Sequence, residues 1–257
     1  MCKKEFRMSF NSWQSYWKFS RKITSDTRYI YDDETSNFIN EVLRTSDSRK
    51  KTLKTGHKLW RSQIGSEIRT ICNDDGIEIG EETVPYPKNR MYPLECSANE
   101  GRVNPKGIPY IYLATDWETS MSECRPWIGM NLSVGQFIVT KNLNVVDCSE
   151  NHSTNPLYFD LKKGIYEPNS EEREKAVWAH IDKAFSMPIN TNETQAHYVP
   201  TQVIAEAFKT HGYDGIIYKS MLGKGFNIAL FNMKSVDMEK RSVFEVKTLD
   251  ITYSQTS

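Results

Sequence analysis

The sequence predicts an α+β protein, and the order of its predicted elements leads to that class. Amphipathic helices and short strands both occur, but they do not alternate regularly, which argues against a doubly wound parallel sheet. The chain has 257 residues, 38% of them hydrophobic, which is enough for one large domain or a domain with an extension.

The first 55 residues predict a helical extension ahead of a catalytic domain at residues 56–257. Trp13, Tyr16 and Trp17 have the spacing of one helical face, and a second helix is predicted at residues 34–45. Residues 44–58 are polar and basic, which predicts an exposed helix end or a linker. We expect both helices to pack on the domain, because their apolar faces would be costly to leave in water.

Strands and helices alternate irregularly after residue 58. Strands are predicted around residues 59–61, 109–114, 136–140, 143–146, 215–219, 227–231 and 243–246. Asp116 is expected to cap a short helix that runs to Cys124, and longer helices are expected from residue 170 to 187 and from 201 to 211. Residues 72–100 contain Asp-Asp-Gly, three prolines and little periodicity, so they predict a long loop.

Charge and composition exclude several functions. Lys plus Arg equals Asp plus Glu at 33 each, which argues against bulk binding to nucleic acid or to an anionic membrane. No apolar run approaches the ~20 residues that span a bilayer, and the N-terminus does not resemble a signal peptide. Five scattered cysteines and five scattered histidines fit neither a disulfide framework nor a metal site. These features predict a cytoplasmic protein with reduced thiols and no metal.

Three segments contain residues suited to chemistry, and each also has an ordinary explanation. The first is the loop at residues 101–107, where Arg102, Asn104 and Lys106 are suited to an anion; many such loops bind nothing. The second is the helix after Asp116, where Glu123 shares a face with Ser120; a solvated glutamate is the alternative. The third is Ser220 at the end of an apolar strand, which is equally suited to terminating that strand.

Familiar catalytic motifs are absent from the sequence. It has no G-x-S-x-G elbow, no Walker A loop and no H-E-x-x-H pair. The segment Gly223-Lys224-Gly225 is short for a phosphate loop, and a hairpin turn explains it better.

In order and spacing, these segments resemble the RES-domain family over about residues 56–235. The resemblance is carried by Leu59-Trp60-Arg61, by residues 101–107 leading into Tyr110–Asp116, by Glu118–Glu123, and by residues 198–206, 212–220 and 225–231. It implies a fold like that of ADP-ribosyltransferases, a split mixed β-sheet with flanking helices. It also implies a bacterial toxin that degrades NAD by phosphorolysis or hydrolysis, without another cofactor. An antitoxin with an Xre-type helix-turn-helix is the implied partner, and a homo-oligomer is left open.

The resemblance also implies roles for particular residues. Arg102, Glu123 and Ser220 would be catalytic, and the NAD-binding residues would be Arg61, Asn104, Tyr112 and Asn227. Cleavage of the nicotinamide–ribose bond passes through an oxocarbenium-like state, so placement and charge stabilisation are the main requirements. Two alternatives remain: an ADP-ribosyltransferase acting on a protein, and a silent RES-like module that works by binding.

Overall fold

A computed structural model describes residues 10–95, 97–162, 164–187 and 195–250, and these combine α-helices with β-strands. The α-helices are α1 (Ser15–Ser25), α2 (Asp33–Ser46), α3 (Trp117–Ser122), α4 (Ser170–Ser186) and α5 (Val199–Thr210). The strands are β1 (Lys50–Leu53), β2 (Lys58–Ile64), β3 (Glu67–Cys72), β4 (Glu78–Val84), β5 (Ile111–Ala114), β6 (Asn131–Val139), β7 (Leu143–Asp147), β8 (Phe159–Asp160), β9 (Gly164–Ile165), β10 (Gly215–Lys219), β11 (Phe226–Leu230) and β12 (Val236–Glu245).

An eight-stranded mixed sheet forms the centre of the molecule. Its strand order is β1-β7-β10-β11-β5-β2-β6-β12, with β7 and β10 parallel and the other neighbours antiparallel. Within the described strands, β5 and β2 share one register pair, Trp60 with Ala114. The sheet therefore splits there into a five-stranded half and a three-stranded half. We call this junction the seam. The predicted α+β fold with a split mixed sheet and flanking helices is confirmed.

Helices α4 and α5 pack on β10 of the five-stranded half, and α1 and α2 pack on these helices. The four helices share one core with the sheet, which includes the buried Phe19, Phe38, Trp178 and Phe208. The helix starts agree with their sequence signals: Asp32 caps α2 through Thr35, and Asn169 caps α4 through Glu172. The core is large because aromatic side chains from four helices are buried in it together with residues of the sheet.

The N-terminal residues take part in this core. Both α1 and α2 pack on α5, and β1 extends the sheet by pairing with β7. Trp17 departs from the predicted apolar face, because it is 56% exposed, whereas Tyr16, Phe19 and Ile23 are buried. The domain boundary at residue 56 stays a prediction.

The prediction of a polar linker at residues 44–58 is wrong for its middle part. Helix α2 continues to Ser46, and β1 follows almost at once. In β1 only Leu53 is buried, so the strand has no apolar alternation that its sequence could reveal. Main-chain pairing with β7 holds it in place instead.

The predicted loop at residues 72–100 is also wrong for residues 72–84. Strands β3 and β4 form an antiparallel hairpin there. All of β3 is exposed, and so is most of β4, so the hairpin lacks the half-buried alternation that identifies a strand in sequence. None of the described helices is long and apolar enough to cross a membrane.

Candidate active site

A capped short helix places Glu123 at the seam. Asp116 accepts a hydrogen bond from the Thr119 N–H at 2.7 Å and another from the Thr119 hydroxyl at 2.9 Å. The Gly225 N–H donates to the Thr119 hydroxyl at 2.9 Å. A Cβ at Gly225 would lie 2.0 Å from the Asp116 carboxylate, so glycine is required for this close approach. The β10–β11 turn is thereby fixed against α3.

Two side chains from that hairpin hold the Glu123 carboxylate. The Ser220 hydroxyl donates to Glu123 Oε1 at 2.6 Å, and Asn227 Nδ2 donates to the same oxygen at 2.7 Å. Ser220 and Asn227 are both buried, and Ser220 is also fixed by the N–H groups of Leu222 and Gly223. Among the described residues, no donor binds Glu123 Oε2. One oxygen of the carboxylate is thus anchored while the other remains for a ligand.

The β10–β11 turn does not form a phosphate-binding loop. The Gly223 N–H donates to Ser220 and the Gly225 N–H to Thr119, so these amides already have partners. The hairpin turn expected for Gly223-Lys224-Gly225 is what the structure has. Its role is to support Ser220 beside Glu123.

Arg61 lines the same cleft as Glu123 and comes from the three-stranded half of the sheet. It lies on β2 next to the Trp60–Ala114 pair, and its Nη1 donates to the Tyr112 carbonyl at 3.1 Å. Its Nε is buried without a hydrogen-bond partner among the described residues. Burial lowers the pKa of the Arg61 guanidinium below its usual value. An anionic group in the cleft would give the Nε a hydrogen-bond partner and would stabilise the buried positive charge.

The cleft at the seam is lined by both halves of the sheet and by α3. Its volume is about 160 Å³, below the roughly 300–1,000 Å³ usual for a whole ligand pocket. It therefore suits one ring or sugar of a larger ligand. The lining residues are Trp60, Arg61, Ser62, Tyr112, Leu113, Ala114, Ser120, Glu123, Cys124, Tyr218 and Asn227.

Asn104 and Tyr112 build the arginine-bearing loop at residues 101–107. The Tyr112 hydroxyl donates to Asn104 Oδ1 at 2.6 Å, and Asn104 Nδ2 donates to the carbonyls of Asn99 and Ile108, which flank the loop. Burial is the main cause that raises the pKa of the Tyr112 hydroxyl. Since Asn104 is buried and its side-chain amide is already bonded, its contribution in this structure is to the shape of the loop.

Arg102 lies near this group but does not line the cleft. Its Nη1 donates to the carbonyls of Phe185 and Ser186 at 2.9 and 2.8 Å, at the C-terminal end of α4. A cation is favourable at that end of a helix dipole. The structure therefore joins Glu123, Ser220, Asn227, Arg61 and Tyr112 in one site and holds Arg102 and Asn104 in the neighbouring loop.

Several site residues have no clear signal in the sequence. The hydroxyl groups of Ser62 and Ser120 lie 2.7 Å apart across the cleft, although 58 residues separate them in the chain. Tyr218 and Cys124 also line the cleft, and burial raises the pKa of the Cys124 thiol to about 11. Ser120 alone has a local signal, since it shares a helical face with Glu123.

Two further residues that the sequence did not single out anchor the arginine-bearing loop to α5. The Thr201 hydroxyl donates to the Arg102 carbonyl at 2.6 Å. Gln202 Nε2 donates to the carbonyls of Gly101 and Asn104 at 2.9 and 3.1 Å. Thr201 and Gln202 are buried, so this contact also fixes where the Arg102 side chain begins.

No cluster of His, Cys, Asp and Glu suited to a metal ion occurs within the part of the chain that the structure describes. The polar groups of the cleft are a carboxylate, amides, hydroxyls and an arginine. They are suited to holding a sugar and a phosphate rather than a metal.

The fold and the site define an α+β protein with an anchored carboxylate at the split of its sheet. Residues 85–254 match the family model of the RES domain, which is more than half of the 257 residues. The chain belongs to the RES-domain family. Arg61 and β2 lie before the matched segment, although they complete the cleft.

Other comparisons add little. No curated protein matches the sequence. A chain in the crystal structure of the M. tuberculosis MbcT–MbcA toxin–antitoxin complex is similar in structure, with a TM-score of 0.39 and 14% sequence identity over 79% of this chain and 92% of that one. So distant a likeness supports no inference about function.

Proposed function

We propose that this protein cleaves the nicotinamide–ribose bond of NAD, with phosphate or water as the acceptor. The observation that carries the proposal is the Glu123 carboxylate, anchored through Oε1 by Ser220 and Asn227, in a cleft that also contains Arg61. Membership of the RES-domain family supports the same reading.

The chemistry of the bond matches what the cleft offers. As the C–N bond breaks, nicotinamide leaves as a neutral molecule with the bonding electron pair, and positive charge develops on the ribose. The free oxygen of Glu123 would stabilise that charge, which is the largest contribution such a site can make. An oxygen of phosphate or water then bonds to the ribose carbon, and an attacking water loses its proton to solvent.

The remaining side chains would place the substrate. Tyr112 would lie along the nicotinamide ring, and Arg61 would bind the pyrophosphate with its unpartnered Nε. Both hydrogen bonds of Arg102 to α4 use Nη1, which leaves its other N–H groups for a phosphate oxygen. Asn104 would act through the loop that carries Arg102. NAD is the substrate in this scheme, and no further cofactor takes part.

The cellular consequence would be loss of NAD. We propose that the protein is a cytoplasmic toxin that arrests growth, and that an Xre-type antitoxin restrains it by covering the cleft. Neither nucleic acid nor membrane has a role in this scheme.

Product analysis tests the proposal. Purified protein is incubated with NAD, with and without inorganic phosphate, and the products are identified by mass. Nicotinamide with ADP-ribose 1″-phosphate would establish phosphorolysis, and nicotinamide with ADP-ribose would establish hydrolysis. A labelled protein with neither free product would replace the proposal with protein ADP-ribosylation. Intact NAD under all conditions would favour a silent binding module.

A further inference from the structure

Within the part of the chain that the structure describes, no strand pairs with the outer edge of β12 along its second half. This strand is the last of the sheet, and it pairs with β6 on one side. The Val246 N–H donates inward to the Met130 carbonyl. Because successive residues of a strand point their N–H and C=O groups to opposite sides, those of Arg241, Val243 and Glu245 point outward. No partner for these groups occurs among the described residues.

The first half of β12 is protected. The Tyr92 hydroxyl donates to the Val236 carbonyl at 3.3 Å and accepts from the Met238 N–H at 3.2 Å. A register shift between Met238 and Lys240 then reverses which residues point outward. Pairing with β6 continues on both sides of this shift, but the outer edge is interrupted at the bulge. The open edge is therefore a short segment, residues 240–245.

We propose that this segment pairs with the same segment of a second copy, antiparallel and centred on Val243. The two sheets would then form one continuous sheet across a two-fold axis. About six main-chain hydrogen bonds would form, since residues 241, 243 and 245 each turn both polar groups outward. A two-fold contact uses the same surface on both copies, so a self-complementary edge is what it requires.

The charged side chains of this segment favour one register of pairing between the two copies. With Val243 at the centre, Arg241 of one copy lies directly opposite Glu245 of the other, on the same face of the sheet. Opposite charges in directly facing positions stabilise a strand pair. Arg241 uses its Nη1 to bind the Tyr86 carbonyl at 3.0 Å, which leaves further N–H groups for Glu245 of the second copy. Glu245 now pairs with Lys247 at 2.5 Å, an exposed contact that is easily exchanged.

Neighbouring registers bring like groups together. Centring on residue 244 would place Arg241 opposite Lys247, and centring on Arg241 would place that residue opposite its own copy. Centring on Ser242 would place Glu245 against the bulge that contains Glu239. Among these, the Val243 register alone sets opposite charges against each other.

An aromatic pair on the other face strengthens the same register. Phe244 stacks on Trp117 with ring centroids 5.3 Å apart, and both rings remain more than a third exposed. About the Val243 axis, Phe244 and its copy occupy diagonal positions, which lie about 7–8 Å apart and within reach of aromatic rings. Pairing would bury apolar surface that is otherwise left in water.

A charge-swap series tests the proposal by sedimentation equilibrium or light scattering of the purified protein. The wild-type chain should be a dimer at micromolar concentration. Glu245→Arg should weaken the dimer at least tenfold, because it sets arginine against Arg241. Arg241→Glu should do the same by setting two glutamates against each other. The double variant, Arg241→Glu with Glu245→Arg, should recover the dimer.

Glu81→Arg, an equal change of charge on the exposed β3–β4 hairpin, is the control and should dimerise as wild type. Circular dichroism of each variant is used to check that it is folded. A wild-type chain that remains a monomer up to 100 times the working concentration would overturn the proposal, and so would single variants that dimerise normally. None of these residues lies in the cleft, so NAD turnover is measured separately and the two proposals fail independently.

Discussion

The two halves of the sheet differ in how they are stabilised and in what they give the site. The five-stranded half shares one core with four helices and supplies Ser220, Asn227 and Tyr112 from a buried scaffold. In the three-stranded half, β2 and β12 are more exposed, and β2 supplies Arg61. Helix α3 spans the seam and carries Glu123 between them. The site thus lies where the ladder is weakest, because the parting of β5 and β2 leaves room there for a cleft lined from both halves.

The largest effect is expected from the residue at the seam itself. Glu123→Gln retains an oxygen that can accept from Ser220 and Asn227, so the protein should stay folded. Loss of the charge should reduce the rate of NAD cleavage about a hundredfold or more. Initial rates of nicotinamide release and a thermal melt measure the two quantities.

Glu118 provides the matched control on the same helix. Its side chain is exposed and lines the groove on the opposite side of α3, beside Trp117 and Met121. Glu118→Gln should retain nearly full turnover. Full turnover in Glu123→Gln, or loss of it in Glu118→Gln, would move the reaction centre away from the seam.

The next effect concerns stability of the five-stranded half. His180 lies 5.2 Å from the Trp17 ring and 6.0 Å from the Trp13 ring. Burial, with the nearby Lys183 charge, lowers the pKa of His180 from 6.5 to about 4. Between those values the unfolded chain binds more protons than the folded chain, so stability falls as the pH falls.

The free energy of unfolding should drop by about 2 kcal/mol between pH 6.5 and pH 4 from this group alone. Urea unfolding of wild type and His180→Phe is measured at a series of pH values. The difference between their unfolding free energies gives the contribution of His180 to the pH dependence. Identical pH slopes in the two proteins would show that His180 does not titrate in this way.

A smaller effect is expected from the arginine of the three-stranded half. Arg61→Lys retains the charge but loses the forked guanidinium suited to phosphate. The KM for NAD should rise about tenfold, equivalent to 1.4 kcal/mol, with little change in kcat. A fall in kcat with unchanged KM would mean that Arg61 acts on the reacting atoms and not on the pyrophosphate.

The smallest effect is expected from a conservative change in side-chain packing, compared between helix α1 and the β3–β4 hairpin. Ile23 on α1 is 1% exposed, whereas Ile79 on the β3–β4 hairpin is 64% exposed. Ile23→Val should cost about 1 kcal/mol of unfolding free energy, and Ile79→Val should cost almost nothing. Chemical denaturation of both variants gives the comparison. Equal losses would contradict the view that the N-terminal helices belong to the main core.

The sequence by itself determined the parts that depend on local patterns. Apolar periodicity and capping residues located α2, α4 and α5, and Asp116 located the start of α3 to within a residue. The ordered segments around Arg102, Glu123 and Ser220 predicted the family, which the match over residues 85–254 confirms. These patterns can be recognised in the sequence because a helix face or a cap involves residues only three or four positions apart.

Only the tertiary structure decided the parts that depend on distant contacts. Strand β1 and the β3–β4 hairpin are held by main-chain hydrogen bonds, and such bonds leave little trace in side-chain pattern. Glu123 meets Ser220 and Asn227 across 97 and 104 residues, and Ser62 meets Ser120 across 58. Arg102 donates through Nη1 to carbonyl groups at the end of α4, a contact that its sequence position does not predict. Those pairings follow from how the two sheet halves and α3 pack together, since chain spacing alone places no limit on which distant residues meet.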